Sequence, residues 1–316
     1  MSNTYTEMKN TTKDGNYAFN FWNYLRGKNP DYAVVEQARN TNSGGYMFPD
    51  ITDDRYEKAI REKSVFRSVA NVVSKFNGPS NVFAYDSTVT AEFVPEYGDI
   101  DVQDIADDFT RLTLHSNKLA AILRASSEFS GDASFDIEDY IVKALSQAFA
   151  EAEDKAFISG TGEDEPTGIL DDTAGAEIGV TVESLTFDGI TDLFFSVDKK
   201  YRKNGVWIMN DKTALTLRKL KDENGTPLWN HTDDTIFGKP VHICNEMPDA
   251  DDGEKPVAFG DFSYYWIVKR SPVFVRRLNE LFALNHQIGY LGYEFLDGKL
   301  IRPDAVKVLK IETEEA

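Results

Sequence analysis

Few side chains stand at spacings that could do chemistry. Gly160-Thr161-Gly162 comes nearest to a phosphate-cradling loop. It lacks the Gly-Lys-Ser/Thr ending whose lysine and hydroxyl would hold phosphate and magnesium. It also follows a helical pattern, where a dinucleotide fingerprint follows a strand, so it reads as a turn. No Gly-x-Ser-x-Gly elbow and no His-Glu-x-x-His pair occurs. The four histidines are His115, His231, His242 and His286, and none lies four residues from another. His242 and Cys244 alternate on a strand-like stretch and could share a face, but a zinc site needs three or four ligands. Packing in the core or at an edge is the better reading of that pair. Asp249, Asp251, Asp252 and Gly253 imitate a calcium loop, yet the glycine falls one place early and no glutamate holds the twelfth position. They read as a solvated turn. Asp107 and Asp108 are adjacent, so on a strand they would face opposite ways and make a poor acid–base pair. Carboxylates distant in sequence stay open as partners. No catalytic, cofactor-binding or metal-ligating residue is assigned, and no cofactor is expected.

The elements that could position such groups belong to a folded chain of 316 residues, long enough for one large domain or two to three lobes. Its 34 basic and 53 acidic residues leave a net charge of -19. Nucleic-acid affinity rests on Lys and Arg displacing counterions, so sequence-specific DNA or RNA binding is disfavoured. Anionic membranes are poor partners for the same reason. No apolar run approaches the ~20 residues that cross a bilayer, and Met1 to Tyr17 does not read as a secretory signal. One cysteine, Cys244, excludes an intrachain disulfide. The 21 Phe and 14 Tyr bring large areas to bury in cores or interfaces.

Residues 1 to about 43 are polar with scattered aromatics, Tyr17, Phe19, Phe21, Trp22 and Tyr24 among them. They read as an arm that orders only against something else. Gly44 to Pro49 punctuates the chain, and a short helix is expected from Asp53 to about Lys63. Residues 65 to 75 are apolar and β-branched. From Val82 to Asn117 the ends are strand-like, while Glu92, Glu96, Asp99, Asp101, Asp104, Asp107 and Asp108 crowd the middle. This is a long two-stranded excursion. An isolated hairpin is marginal in water, so it should lie on another surface. Leu119 to Leu123 reads as a buried strand. From Ile137 to Phe157 the residues Ile137, Ile141, Ala144, Leu145, Ala148, Ala152 and Ala156 form an apolar helical stripe. Asp136 suits the N-cap, and Phe135 with Tyr140 suits a hydrophobic staple. At ~1.5 Å per residue this helix is about 30 Å long. Beyond it the spacing predicts a helix over 187–201, a strand at Val206–Met209 and a helix capped by Asn210 through Leu220. Short strands are expected near Val241–Cys244, Val257–Phe259, Tyr264–Val268 and Val273–Arg276. Two more, Gln287–Phe295 and Ala305–Ile311, flank a turn at Asp297-Gly298. The class is α+β.

Four stretches in this order resemble the tailed-bacteriophage major capsid family, with its Hong Kong 97-type fold. They are Gly44-Gly45-Tyr46-Met47-Phe48-Pro49; Glu153 to Gly160 followed by Pro166-Thr167-Gly168-Ile169-Leu170; Trp207-Ile208-Met209-Asn210 leading to Leu217 through Gly225; and Gly238-Lys239-Pro240-Val241, Met247-Pro248-Asp249 and Gly260-Asp261-Phe262. The resemblance covers about Gly44 to Ile311. It implies an N-terminal arm over 1–64, a peripheral-domain strand over 65–79 and an extended loop over 80–117 that reaches across a neighbour. It further implies a peripheral domain with the spine helix over 118–179, an axial domain over 180–280 and peripheral C-terminal strands over 281–316. The implied function is a virion shell subunit, not an enzyme, assembling in the bacterial host cytoplasm. Pentamers and hexamers of the chain would enclose double-stranded DNA. The implied partners are copies of itself, a separate scaffolding protein, a portal and a decoration protein, with no membrane. A nanocompartment shell of the same fold is the nearest alternative, and a soluble carboxylate-dependent hydrolase the alternative of another class. Phe93, Val94 and Tyr97 are the expected subunit contacts at the loop tip.

Two departures from the family pattern matter. Only about 43 residues precede Gly44, so the chain resembles members whose scaffold is a separate protein, and proteolytic maturation is not expected. The family's type member cross-links subunits through a loop lysine, but Phe83 to Asn117 contains no lysine, and Phe93 falls near that site. Asn285 stands roughly where the acceptor would be, without a donor. Particles of this protein should therefore dissolve in denaturing gels to a single band at monomer mass; a covalent ladder would contradict that.

Overall fold

The computed structural model describes residues 8–312 apart from 42, 75–80, 86–92, 94–108, 133, 222–224, 226, 228 and 231–233. Near the start, the Asp14 carboxylate accepts the Asn16 N–H at 2.9 Å and opens helix α1 (Gly15–Arg26), which Gly27 ends at φ +74°. Tyr17, Phe21 and Leu25 recur every fourth residue, and all three are fully buried. The Tyr17 hydroxyl donates to the Met47 carbonyl at 2.6 Å, and Tyr290 donates to the Leu25 carbonyl at 3.1 Å. Residues 8–41 thus pack on the chain's own body. The expected arm ordered only by another molecule is corrected here, because its aromatics form one face of a capped helix.

Helix α2 (Asp50–Lys63) follows. The apolar run expected as a strand from residue 65 begins instead as helix α3 (Val65–Val69), capped by Ser64, whose hydroxyl accepts the Arg67 N–H. The cap overrides the β-branched preference, and strand β2 starts only at Asn71 (Asn71–Ser74). Strands β3 (Asn81–Tyr85) and β4 (Phe109–Thr113) pair antiparallel from Asn81↔Thr113 to Tyr85↔Phe109. Of the strand-like stretch expected from Val82 to Asn117, residues 86–92 and 94–108 lie outside the described residues. Strand β5 (Asn117–Ser126) is longer than expected and only half-buried: it alternates exposed and sheltered positions. The buried reading of Leu119–Leu123 is corrected, because β5 is an edge strand paired on one side only.

Helix α4 (Ile137–Ser159) is the spine. Asp136 accepts the Asp139 N–H at 3.0 Å, and the Phe135 and Tyr140 rings lie 5.7 Å apart, as a staple requires. Its first half buries Ile137, Ile141 and Leu145. Its second half buries Phe149, Glu153, Asp154 and Phe157, while Ala152 faces solvent. The expected stripe through Ala152 is corrected: the buried side continues at four-residue steps into carboxylates.

One sheet runs β1 (Tyr46–Met47), β13 (Phe274–Leu278), β14 (Gln287–Leu300), β12 (Tyr265–Lys269), β2, with β5 along the other edge of β14. The second runs β6 (Glu177–Val182), β15 (Val306–Ile311), β11 (Val257–Gly260), β7 (Val206–Met209), β10 (Lys239–Ile243), β9 (Thr235–Ile236), β8 (Trp229–Asn230). Helix α5 (Phe187–Ser196) packs on β6 and β15. The helix expected to continue to residue 201 breaks where buried Val197 turns extended, then resumes for one turn at Lys199–Arg202. Helix α6 (Asp211–Lys219) starts where the Asn210 side chain accepts the Thr213 N–H at 2.7 Å.

The sheets do not follow the division of the chain at residue 280. Strands 265–278, grouped with the axial segment, pair with β14, and 306–311, grouped with the peripheral strands, pair with β6 and β11. Pairing partners far apart in sequence set membership. The turn expected at Asp297-Gly298 is also corrected, since β14 runs through both, opposite Val268 and Ile267. Gly298 is there for close approach. A Cβ at that position would lie 2.7 Å from the Tyr265 hydroxyl and 2.8 Å from the Phe157 ring. Both rings are buried and packed on each other. Gly298→Val should therefore lower stability by about 1–3 kcal/mol through overpacking, read from urea denaturation midpoints.

Candidate functional site

Among the described residues, none of those tested for chemistry above gathers into a catalytic constellation; Asp107, Asp108 and His231 lie outside the described residues. Gly160 and Gly168 close a tight turn, with the Gly168 N–H on the Gly160 carbonyl at 2.8 Å. A Cβ at Gly160 would meet the Pro166 carbonyl at 2.2 Å, so the glycine is there for packing. Cys244 is buried and burial pushes its thiol up to about 12, which removes the reactive thiolate. His242 is half-buried, and burial lowers its pKa. Among the described residues no three potential ligands gather to hold a metal. Asp249 accepts from Asn210 at 2.8 Å and pairs with Lys212 at 2.5 Å, so it braces the start of α6. Its carboxyl is held below the usual range, chiefly by the Lys212 hydrogen bond.

Charge is buried elsewhere, where α2, α3, α4, β12 and β14 meet. Arg67 forks onto Glu153, Nε to Oε2 at 2.6 Å and Nη2 to Oε1 at 2.8 Å, and its Nη1 reaches Glu57 at 3.2 Å. Lys269 bonds Glu57 and lies 3.4 Å from Glu294 and 3.9 Å from Asp53. Tyr56 donates to Glu294 at 2.8 Å. The side chains of Arg67, Glu153, Glu294 and Lys269 are 2%, 1%, 0% and 2% exposed, so solvent screens almost nothing. Burial pushes Glu153 up to about 7 despite the opposing pull of Arg67. Burial raises Asp53 as well, whereas for Glu57 burial is outweighed by Lys269 and Arg67, and its carboxyl sits low. The neighbouring Asp154 accepts from the Ser64 hydroxyl at 2.6 Å and from the Val65 and Phe66 N–H groups at 2.8 and 3.2 Å. A spine carboxylate thus caps α3 from outside. Sequence reasoning passed over this cluster, although the four-residue series Ile141, Leu145, Phe149 leads straight to Glu153.

Three features are arranged for contact instead. The hairpin β3–β4 pairs with itself and makes no substantial packing contact with any other described element. Phe93, one of the expected contacts, is fully exposed; Val94 and Tyr97 lie outside the described residues. The outer face of β5 presents Lys118, Ala120, Ile122 and Arg124 to solvent.

Comparison with known proteins bears on this arrangement. The model of the phage capsid family matches residues 44–311. This chain belongs to the phage capsid family. A capsid chain from an empty GTA particle is 29% identical to this capsid chain and superposes at TM-score 0.68, covering 79% of this chain and 90% of that one. A chain from Gordonia phage Cozz shares the fold at TM-score 0.53 and 15% identity, over 80% of this chain and 87% of that one. Among curated relatives, the major capsid protein of Klebsiella oxytoca phage phiKO2 is 24% identical over 70% of this chain. The probable major capsid protein gp17 of Mycobacterium phage D29 is 26% identical over 63%. The chain spans 55% and 62% of the length of those two proteins. The fold is accordingly the α+β, Hong Kong 97-type fold of phage capsid chains, and the family is a structural one.

The buried cluster of this capsid chain makes its stability depend on pH in a fixed direction. Glu153 has its carboxyl raised in the folded state, so the folded chain holds that proton more tightly than the unfolded one. The contribution is full below the unfolded carboxyl pKa of about 4.3 and is lost as pH rises through about 7. Urea midpoints should fall between pH 5 and 7.5, and Glu153→Gln should flatten that segment of the profile.

Proposed function

We propose that the chain is the repeating subunit of a closed icosahedral virion shell around double-stranded DNA, and that it is not an enzyme. The observation that carries this reading is a body with its own cores and a hairpin that leaves it. Three buried clusters close the body. Strands β3 and β4 pair with each other and make no substantial packing contact with another described element, and an isolated hairpin is marginal in water unless it lies on another surface. Kinship to a GTA capsid chain over nine-tenths of its length supports the same reading.

In this proposal copies meet head to tail, and the contacts close into pentamers and hexamers. Each contact is weak alone, and many act together. The first sheet, with α1, α2 and the spine α4, is the peripheral domain, and the second sheet is the axial domain at the five- and six-fold axes. Residues 80–117 form the extended loop across a neighbour, with Phe93, Val94 and Tyr97 as its apolar contacts. A separate scaffolding protein, a portal and a decoration protein are the further partners. The subunits assemble in the host cytoplasm, and DNA is enclosed without sequence-specific binding, as the net charge of -19 favours. Maturation is a rigid-body rearrangement of subunits with the spine bending.

Electron microscopy of the purified full-length chain, expressed with and without its neighbouring genes, tests this. Closed particles or capsomer rings are the expected result. A stable monomer with a substrate-sized cleft and no particles under either condition would refute it.

A further inference from the structure

A cavity of about 280 Å³ lies against the buried charge cluster, lined by Glu57, Lys58, Arg61, Arg67 and Val72. Glu57 and Lys58 stand four and three residues before Arg61 on α2, so the three share one helical face. Arg67 comes from α3, and Val72 from β2, the last strand of the first sheet. The cavity exceeds the roughly 150 Å³ that accommodates benzene, so a small polyatomic ion fits together with water.

Three of these lining residues are cations, in a chain whose net charge is -19. Lys58 and Arg61 are exposed, and neither pairs with a carboxylate among the described residues. Arg67 differs, because its side chain is 2% exposed and still forms part of the cavity wall. A guanidinium carries five N–H groups. Glu153 takes two of them and Glu57 a third. Glu294 stands 3.9 Å from Nη2, beyond hydrogen-bond distance. Two N–H groups of a buried cation are therefore left for a ligand, and leaving such donors unmet is costly.

Glu57 fixes which anion fits. Burial is outweighed by Lys269 and Arg67, so it stays an ionised acceptor. It accepts from both cations, yet its side chain is 37% exposed, and a carboxylate has lone pairs for a further donor. A bare anion would be repelled by it, whereas an oxyanion with its own O–H would be bonded. We propose that this cavity binds inorganic phosphate, with Lys58, Arg61 and Arg67 on its charged oxygens and its P–OH donated to Glu57. Inorganic phosphate keeps one P–OH at pH 7.5. Sulfate and a phosphodiester have none, and a phosphate monoester has lost its proton above a second pKa of about 6. The site thus selects the free ion over a nucleic-acid backbone. Bound phosphate joins α2, α3 and β2 through charge-assisted hydrogen bonds at the border of the cluster that positions the spine. The inference does not depend on whether copies assemble.

The full-length chain, prepared free of phosphate and sulfate, is titrated calorimetrically at pH 7.5 with sodium phosphate, sodium sulfate and adenosine monophosphate in turn. Phosphate should bind saturably at one site per chain. Sulfate and the monophosphate should each bind at least about tenfold more weakly, for want of one charge-assisted hydrogen bond. Phosphate should also raise the melting temperature, since it binds the folded state. Lys58→Glu combined with Arg61→Glu should abolish phosphate binding and leave the phosphate-free melting temperature unchanged, because both side chains are exposed. No saturable phosphate binding overturns the site, as does binding that survives the double substitution. Equal affinity for sulfate removes the role of Glu57 and overturns the proposal with it. If the double variant fails to fold, the comparison of phosphate with sulfate on the unaltered chain decides alone.

Discussion

Arg67 and Lys269 are almost wholly excluded from water, and each brings a full positive charge into the centre of the molecule. A buried charge is tolerated only where partners satisfy it, and removing one partner strands the others. The forked contact of Arg67 on Glu153 therefore constrains everything around it. Helices α2 and α3, the spine, and strands β12 and β14 must arrive together at one point. Asp154, one residue on, caps α3 and pins the same junction a second time. Such a cluster adds little net stability over an apolar core, but it specifies one registry of spine on sheet. The close glycine contacts at Gly292 and Gly298 act in the same direction through shape.

A body locked in this way is suited to repeated use as a rigid unit. The aromatic residues of α1 close the core from the N-terminal side, so residues 8–41 belong to that unit. One cluster links the two sheets through Phe157, Tyr265, Ile208 and Val308, and another fills the second sheet around Trp207 and Phe259. What leaves the body is the hairpin. The residues between its strands, 86–108, hold eight acids and no Lys, Arg or His.

Much was legible in the residues alone. Local signals, which depend on neighbours within one or two turns, read correctly: the Asp136 cap and its staple, the Asn210 cap, and the strand at Val206–Met209. The order of four short stretches pointed to the family that the family match later showed. The absence of spaced nucleophiles, bases and ligands is also a property of the string.

The readings that failed depended on partners distant in the chain. Scattered aromatics before Gly44 looked unpartnered because Tyr290 and Phe48 lie far along the sequence or beyond a loop. Asp297-Gly298 looked like a turn, because nothing local says that Phe157 and Tyr265 need room for a glycine inside a strand. The burial of Glu153 went unread, since a carboxylate is buried only where a cation such as Arg67 meets it, and that meeting is made by the tertiary fold. By itself the sequence determined the spine helix and the helix after Asn210 with their caps, the family, and the acidic composition of residues 86–108. Only the tertiary structure decided which strands share a sheet, which charges go inside and which face stays open. Those outcomes are set by long-range pairing and burial, which local pattern does not encode.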